Sequence, residues 1–163
     1  MGIMIPFFRV LLQMRNSSVE ERLTRERDVT MHAILKKTDE MPWIPGSVLF
    51  GEKLLVDGKD VIFLKILSDR RSEGGGVAEL SKFSPPSGKR IRIKAVAESD
   101  EHIYLLEGGH DDGTGKQIRF PGDYLLHPKG LPHTAILSRE TIALVIYSGE
   151  PDRVTEFRVE PCD

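Results

Sequence analysis

The sequence predicts an all-β domain, a sandwich or barrel of short strands. Three observations carry the prediction. From Met31 onward the chain is a series of short β-type runs punctuated by turn residues. No long segment shows a 3.6-residue apolar period. One run, Arg90 to Ala97, puts Ile91, Ile93, Ala95 and Ala97 on one face and Arg90, Arg92 and Lys94 on the other, the period-two pattern of a half-buried strand. At 163 residues the chain suits one domain with a real core.

In chain order, residues 1 to 30 are read as a polar N-terminal extension without function, and residues 31 to 163 as the domain. The apolar stretch Ile3 to Phe8 is too short to span a bilayer, is broken by Arg9 and lacks a small-residue cleavage site. Ser18-Val19-Glu20-Glu21 has capping-box spacing, so a short polar helix is expected toward Asp28. The run Ser17 to Thr24 resembles peptides read through an upstream transfer-RNA gene, and that resemblance implies a natural start at Met31. Strands are then expected at Ala33 to Lys37, Val48 to Val56, Val61 to Leu67, Val77 to Phe83, Arg90 to Ala97 and His102 to Leu106. Five more are expected at Lys116 to Phe120, Asp123 to His127, His133 to Leu137, Thr141 to Tyr147 and Val154 to Val159. Asp57-Gly58, Gly74-Gly75-Gly76, Pro85-Pro86-Ser87-Gly88, Asp112-Gly113, Pro121-Gly122 and Ser148-Gly149 are the turns between them.

Composition narrows the function. Apolar residues are 39% and charged residues 29%, ordinary for a globular protein. A net charge of -2 and a pI near 6.2 supply no basic excess for nucleic acid or an anionic membrane. Cys162 is the single cysteine, which excludes an internal disulfide and a cysteine zinc cluster and points to a reducing cytoplasm.

One stretch is more specific. In Gly122-Asp123-Tyr124-Leu125-Leu126-His127-Pro128-Lys129-Gly130-Leu131-Pro132-His133, the residues Gly122, Pro128, Gly130 and His133 stand at the spacing of the second cupin motif, with Leu137 where that motif closes on Asn. Glu101 and Gly108 match the second half of the first cupin motif and Gly88 its beginning. The two histidines of that motif are absent; depending on the gap before Glu101, their places hold Ala95 and Ala97 or Lys94 and Val96. The chain thus resembles single-domain cupins from Gly88 to Leu137. Met41-Pro42-Trp43-Ile44-Pro45-Gly46 is similar to the lead-in of ChrR-type domains and of dihydroxyacetophenone and acetylacetone dioxygenases. The resemblance implies a double-stranded β-helix, or jelly-roll barrel, that forms a homodimer. It also implies a divalent metal (iron, manganese or nickel) whose usual ligands are only partly present.

Ala95, Ala97, Glu101, Leu125 and His133 are the expected cavity-lining residues. Alternation along an Asp123 to Leu137 hairpin puts Leu125 and His127 on one face with His133 across from Leu125. Glu101, His127 and His133 then form two imidazoles and a carboxylate, a set that suits non-haem iron. Each has a second reading: His127 as a turn residue, Glu101 paired with Lys94 or Arg92 at a rim, His133 as a buried neutral histidine. His32, His102 and His110 are assigned no role, and Trp43 is read as a packing anchor at the barrel mouth.

Three functions stay open. The first is capture of a small molecule in an apolar barrel with a degenerate metal site. The second is a metal-dependent dioxygenase or isomerase. The third is a ligand-sensing regulatory module of ChrR type that reports to a partner protein; it should carry a partner-binding helix, for which Ser17 to Val29 is the only candidate.

Overall fold

In the computed structural model the described residues are 33–51 and 54–162. All of the strands belong to the compact unit Lys36–Asp163. The expected N-terminal extension, its polar helix and the region proposed for partner binding lie outside the described residues.

The unit opens with β1 (Ile44–Pro45), the short helix α1 (Gly46–Phe50) and the hairpin β2 (Leu55–Val56) and β3 (Lys59–Asp60). Asp57 and Gly58 join that hairpin at φ 50° and 72°, the left-handed pair that a two-residue turn requires and an Asp-Gly dipeptide supplies. Then come β4 (Ile62–Asp69), β5 (Val77–Phe83), β6 (Lys89–Val96), β7 (Glu101–Glu107), β8 (Tyr124–His127), β9 (Pro132–Leu137), β10 (Thr141–Tyr147) and β11 (Arg153–Pro161). They form two antiparallel sheets, one in the order β1-β4-β5-β10-β7-β8 and the other in the order β11-β6-β9. The inner faces enclose a barrel interior, the architecture the strand pattern predicts.

Apolar alternation builds the core. Ile91 and Leu137, both at 0% exposure, meet Leu54, Val61, Ile62 and Leu64 in one cluster, with Ile93, Ala135 and Phe157 packed on it. Ile103, Leu105, Ala143 and Val145 form a second cluster between β7 and β10. On β6 the predicted faces separate: Ile91 and Ala95 are buried, whereas Lys94 is exposed. The basic face meets an acidic strand. Arg90 and Arg92 reach Glu160 at 2.8 and 3.2 Å, and Lys94 reaches Glu156 at 3.1 Å, all on β11. Trp43 sits beneath two ammonium groups, Lys65 at 4.7 Å and Lys82 at 4.8 Å from its ring centre, a cation–π clamp across β4 and β5.

Four expectations need correction. Val48 to Val56 is not one strand: its first part is α1, anchored where Ser47 donates from its backbone N and its Oγ to the Asp60 carboxylate at 2.8 and 3.0 Å. Ala33 to Lys37 forms no strand. Lys116 to Phe120 forms none either: its backbone folds back on His110 and Asp112 through loop hydrogen bonds, with one isolated bridge between Asp111 and Gln117. Finally, Asp123 to Leu137 reverses direction but is not a paired hairpin. β8 pairs with β7 and β9 with β6, so Pro128-Lys129-Gly130 carries the chain from one sheet to the other. His133 therefore stands opposite Ala95, not Leu125.

Candidate metal and ligand site

One cross-strand row sets the site. Tyr147 on β10 is in register with Glu101, the first residue of β7, and Glu101 with His127, the last of β8. Since side chains alternate across a sheet, all three point the same way, into the barrel. The facing sheet brings His133 from the start of β9. Its ring stacks on that of His127, centre to centre 3.9 Å and tilted 25°. The Pro-x-Gly crossover is what permits this stacking, because it ends β8 and starts β9 on opposite walls.

The polar contacts converge on Glu101. Its Oε2 lies 2.6 Å from His127 Nδ1 and 3.5 Å from His133 Nε2. One donor atom from each of Glu101, His127 and His133 falls within 4.8 Å of the others. Two imidazoles and a carboxylate suit a borderline divalent metal. Ligand atoms at ~2.1 Å from a shared ion stand about 3 Å apart at right angles, and the separations of 2.6 and 3.5 Å bracket that spacing. The residues fit a metal. The rim pairing of Glu101 with Lys94 or Arg92 does not occur, since those cations are engaged on β11.

His133 has a second partner. Its Nε2 is 2.9 Å from Asp152 Oδ2, and its Nδ1 is 3.3 Å from the Leu131 carbonyl. Burial works against the imidazolium, but the Asp152 hydrogen bond, the Glu101 charge and the Leu131 carbonyl outweigh it and raise the pKa.

These groups form the polar end of a cavity of about 330 Å³ whose apolar wall includes Leu64, Phe83, Ile93, Ile103, Val145 and Phe157. Of the expected lining residues, Ala95, Glu101 and His133 line it, as does His127. Ala97 and Leu125 do not. Ala97 is buried just past β6, where its backbone binds Leu131 and Gly130 of the crossover. Leu125 faces inward but packs on the Ile103–Val145 cluster.

Sequence reasoning missed six polar lining residues: Glu79, Ser81, His110, Tyr147, Asp152 and Arg153. Burial raises the Glu79 pKa to about 7; the Ser81 hydroxyl, donating at 2.9 Å, pulls the other way, and the Glu101 charge adds to the rise. His110 is pushed down to about 4, first by burial and then by the Arg119 charge, whose guanidinium donates to Nδ1 at 3.0 Å. Burial holds the Tyr147 phenol neutral, and the Glu101 carboxylate reinforces this as a charge and as a hydrogen-bond acceptor. Two of the six carried a signal. Alternation on β5 sends Val77, Glu79, Ser81 and Phe83 to one face, and a strand whose inward face carries a glutamate marks a polar cavity. For Asp152, in the connection before β11, the sequence offers none.

Among the described residues no helix is long and apolar enough to cross a membrane. Comparison with protein-family models finds no match, and comparison with curated proteins finds none either. Similar solved structures exist. A Ralstonia eutropha protein of unknown function with a cupin-like fold is 16% identical, over 76% of this chain and 77% of that one, at a TM-score of 0.53. An RmlC-like cupin protein of the same organism is 14% identical, over 80% of each chain, at 0.51. The polyketide cyclase RemF of Streptomyces resistomycificus is 20% identical, over 81% of this chain and 90% of that one, at 0.50. With these likenesses beside the two-sheet barrel and its inward histidines, the chain has the cupin fold.

Proposed function

We propose that the barrel binds a small, largely apolar molecule beside a divalent metal held by Glu101, His127 and His133. The observation that supports it is the convergence of those three donors within 4.8 Å at the polar end of an apolar cavity. A metal held there would supply Lewis-acid polarisation of an oxygen on the ligand. The chain's own groups do the rest. Phe83, Ile93 and Phe157 cover the apolar body and exclude water. Tyr147 keeps its phenolic proton beside Glu101, and Glu79, with a pKa of about 7, is placed to take up or release a proton from the same wall. This arrangement favours the isomerase or dioxygenase class over passive capture, because capture alone needs no three-donor cluster.

The test is metal content and metal titration. Protein purified without an affinity tag should bind iron(II), manganese(II) or nickel(II) at near one equivalent and gain several degrees in Tm. His133→Ala and Glu101→Ala should abolish both effects. Protein that stays empty, with Tm unmoved by any of the three metals, removes the metal and leaves the capture reading. The partner-binding helix that the ChrR-type regulatory reading needs falls outside the described residues.

Self-association has a candidate surface. Tyr104 and Tyr124 pair across β7 and β8, and His102, Leu126 and Ile146 form the next row on the same outer face. Tyr104, Tyr124, Leu126 and Ile146 are exposed, the apolar patch that an interface covers. Light scattering should give a dimer mass that Leu126→Glu reduces to the monomer; a wild-type monomer at micromolar concentration rules the interface out.

A further inference from the structure

Asp152 carries a feature that the metal cluster leaves unused. It lies in the connection from β10 to β11, beside Pro151 and Arg153, and all three line the cavity. Its side chain is 8% exposed. Oδ2 faces the His133 Nε2 at 2.9 Å. Oδ1 has no hydrogen-bond partner, the one buried side-chain nitrogen or oxygen among the described residues in that position. Asp152 is not one of the three clustered metal donors.

A buried carboxylate oxygen without a donor is costly, and folded proteins avoid it. The chain has a cation next door and does not use it, since Arg153 Nε donates to Glu98 at 2.8 Å. The donor that completes Asp152 must then come from outside the chain. We infer that Asp152 determines the specificity of the cavity, its free Oδ1 receiving a hydroxyl or a protonated amine carried by the ligand.

The rest of the lining defines the class further. Glu79 and Glu101 share the polar end with Asp152, so a carboxylate ligand would meet carboxyl groups from three positions. An apolar body ending in a hydrogen-bond donor fits both ends of the cavity. The inference rests on the reading that the barrel binds a small molecule; it does not depend on the metal.

The experiment uses four ligands of one shape on the full chain, with metal removed by chelation: toluene, benzyl alcohol, benzylamine and benzoate. A dry cavity of about 150 Å³ suffices for benzene, so each of them is within reach of about 330 Å³. Protein-detected NMR titration gives the four affinities. Benzyl alcohol and benzylamine should bind tenfold or more tightly than toluene, and benzoate most weakly, as a charge-assisted hydrogen bond implies. In Asp152→Asn the tenfold preference should vanish while toluene binding is retained, which also shows that the cavity is intact. Benzaldehyde, an acceptor, should gain in that variant because the amide now offers an N–H. Equal binding of all four, or a preference that survives Asp152→Asn, overturns the role of Asp152 and leaves the cavity reading standing. Failure of every probe, toluene included, overturns the cavity reading and the inference with it.

Discussion

At His133 a proton and the proposed metal would compete for one atom. Nε2 faces Asp152 at 2.9 Å and Glu101 at 3.5 Å, two acceptors that favour a proton on the atom a metal would need. Binding of manganese(II) should therefore strengthen as pH rises through the elevated His133 pKa and level off above it. Asp152→Asn takes away the charged acceptor that raises the pKa, so the rise should begin at lower pH. Isothermal titration across pH 5 to 9 in two buffers of different ionisation enthalpy reads both the affinity and the released proton; identical profiles for the two proteins would count against the competition. Glu101 makes a separate prediction. Its carboxylate is buried and accepts from His127 at 2.6 Å, so Glu101→Ala strands a buried imidazole and the Tyr147 phenol. Urea denaturation of the metal-free protein should show a loss of about 1–3 kcal/mol, and a change below experimental error would mean that water replaces the carboxylate.

The two motif glycines that shape the strand ends act through different physics. Gly108, after β7, has φ 73° and a Cβ there would meet the Glu140 carbonyl and the Thr141 side chain; Gly130, in the crossover, has φ 87° with open space around it. Gly130→Ala should cost about 1–2 kcal/mol, the strain of the left-handed region alone. Gly108→Ala should cost clearly more, because strain and backbone collision add. Equal urea midpoints for the two variants would refute the distinction. At this scale the sequence is legible in some elements and silent in others. Val77–Phe83 and Thr141–Tyr147 are legible to the residue, since both alternate between turn signals. β6 is legible for its facing as well, because Ile91 and Ala95 on one side and Lys94 on the other leave one solution. The Pro128–Gly130 crossover is legible as a turn but not as a change of sheet. Pairing partners are set by strands far away in sequence, and a local pattern carries no information about them. Glu101, His127 and His133 can be found because alternation fixes facing whichever strand pairs with which. Leu125 is misplaced by the same logic because its distance from the cavity depends on the pairing. His110 escapes it because it sits in a loop, where no period exists and only Arg119 and the surrounding burial turn it inward.

Across the whole barrel, two buried groups on different elements give stability opposite responses to pH. His110 is held at about 4 against an ordinary 6.5, so between those values the unfolded chain takes up a proton that the folded one refuses, and stability falls as pH drops through that window. Glu79 is held at about 7 against 4.5, so the folded carboxyl stays protonated where the unfolded one ionises, and stability falls as pH rises through that window. Each gap corresponds to roughly 3 kcal/mol, and the windows overlap from 4.5 to 6.5. Over that range the two slopes offset each other in the wild-type protein. Removing either one exposes the other. Relative to wild type, Glu79→Gln should gain stability with each step of pH from 4.5 toward 7, and His110→Gln should lose it from 4 toward 6.5, the glutamine in each case preserving a hydrogen-bonding side chain. Urea unfolding in EDTA at four pH values measures the differences directly. Variant curves running parallel to wild type would mean that neither group is as desolvated as its place in the cavity wall implies.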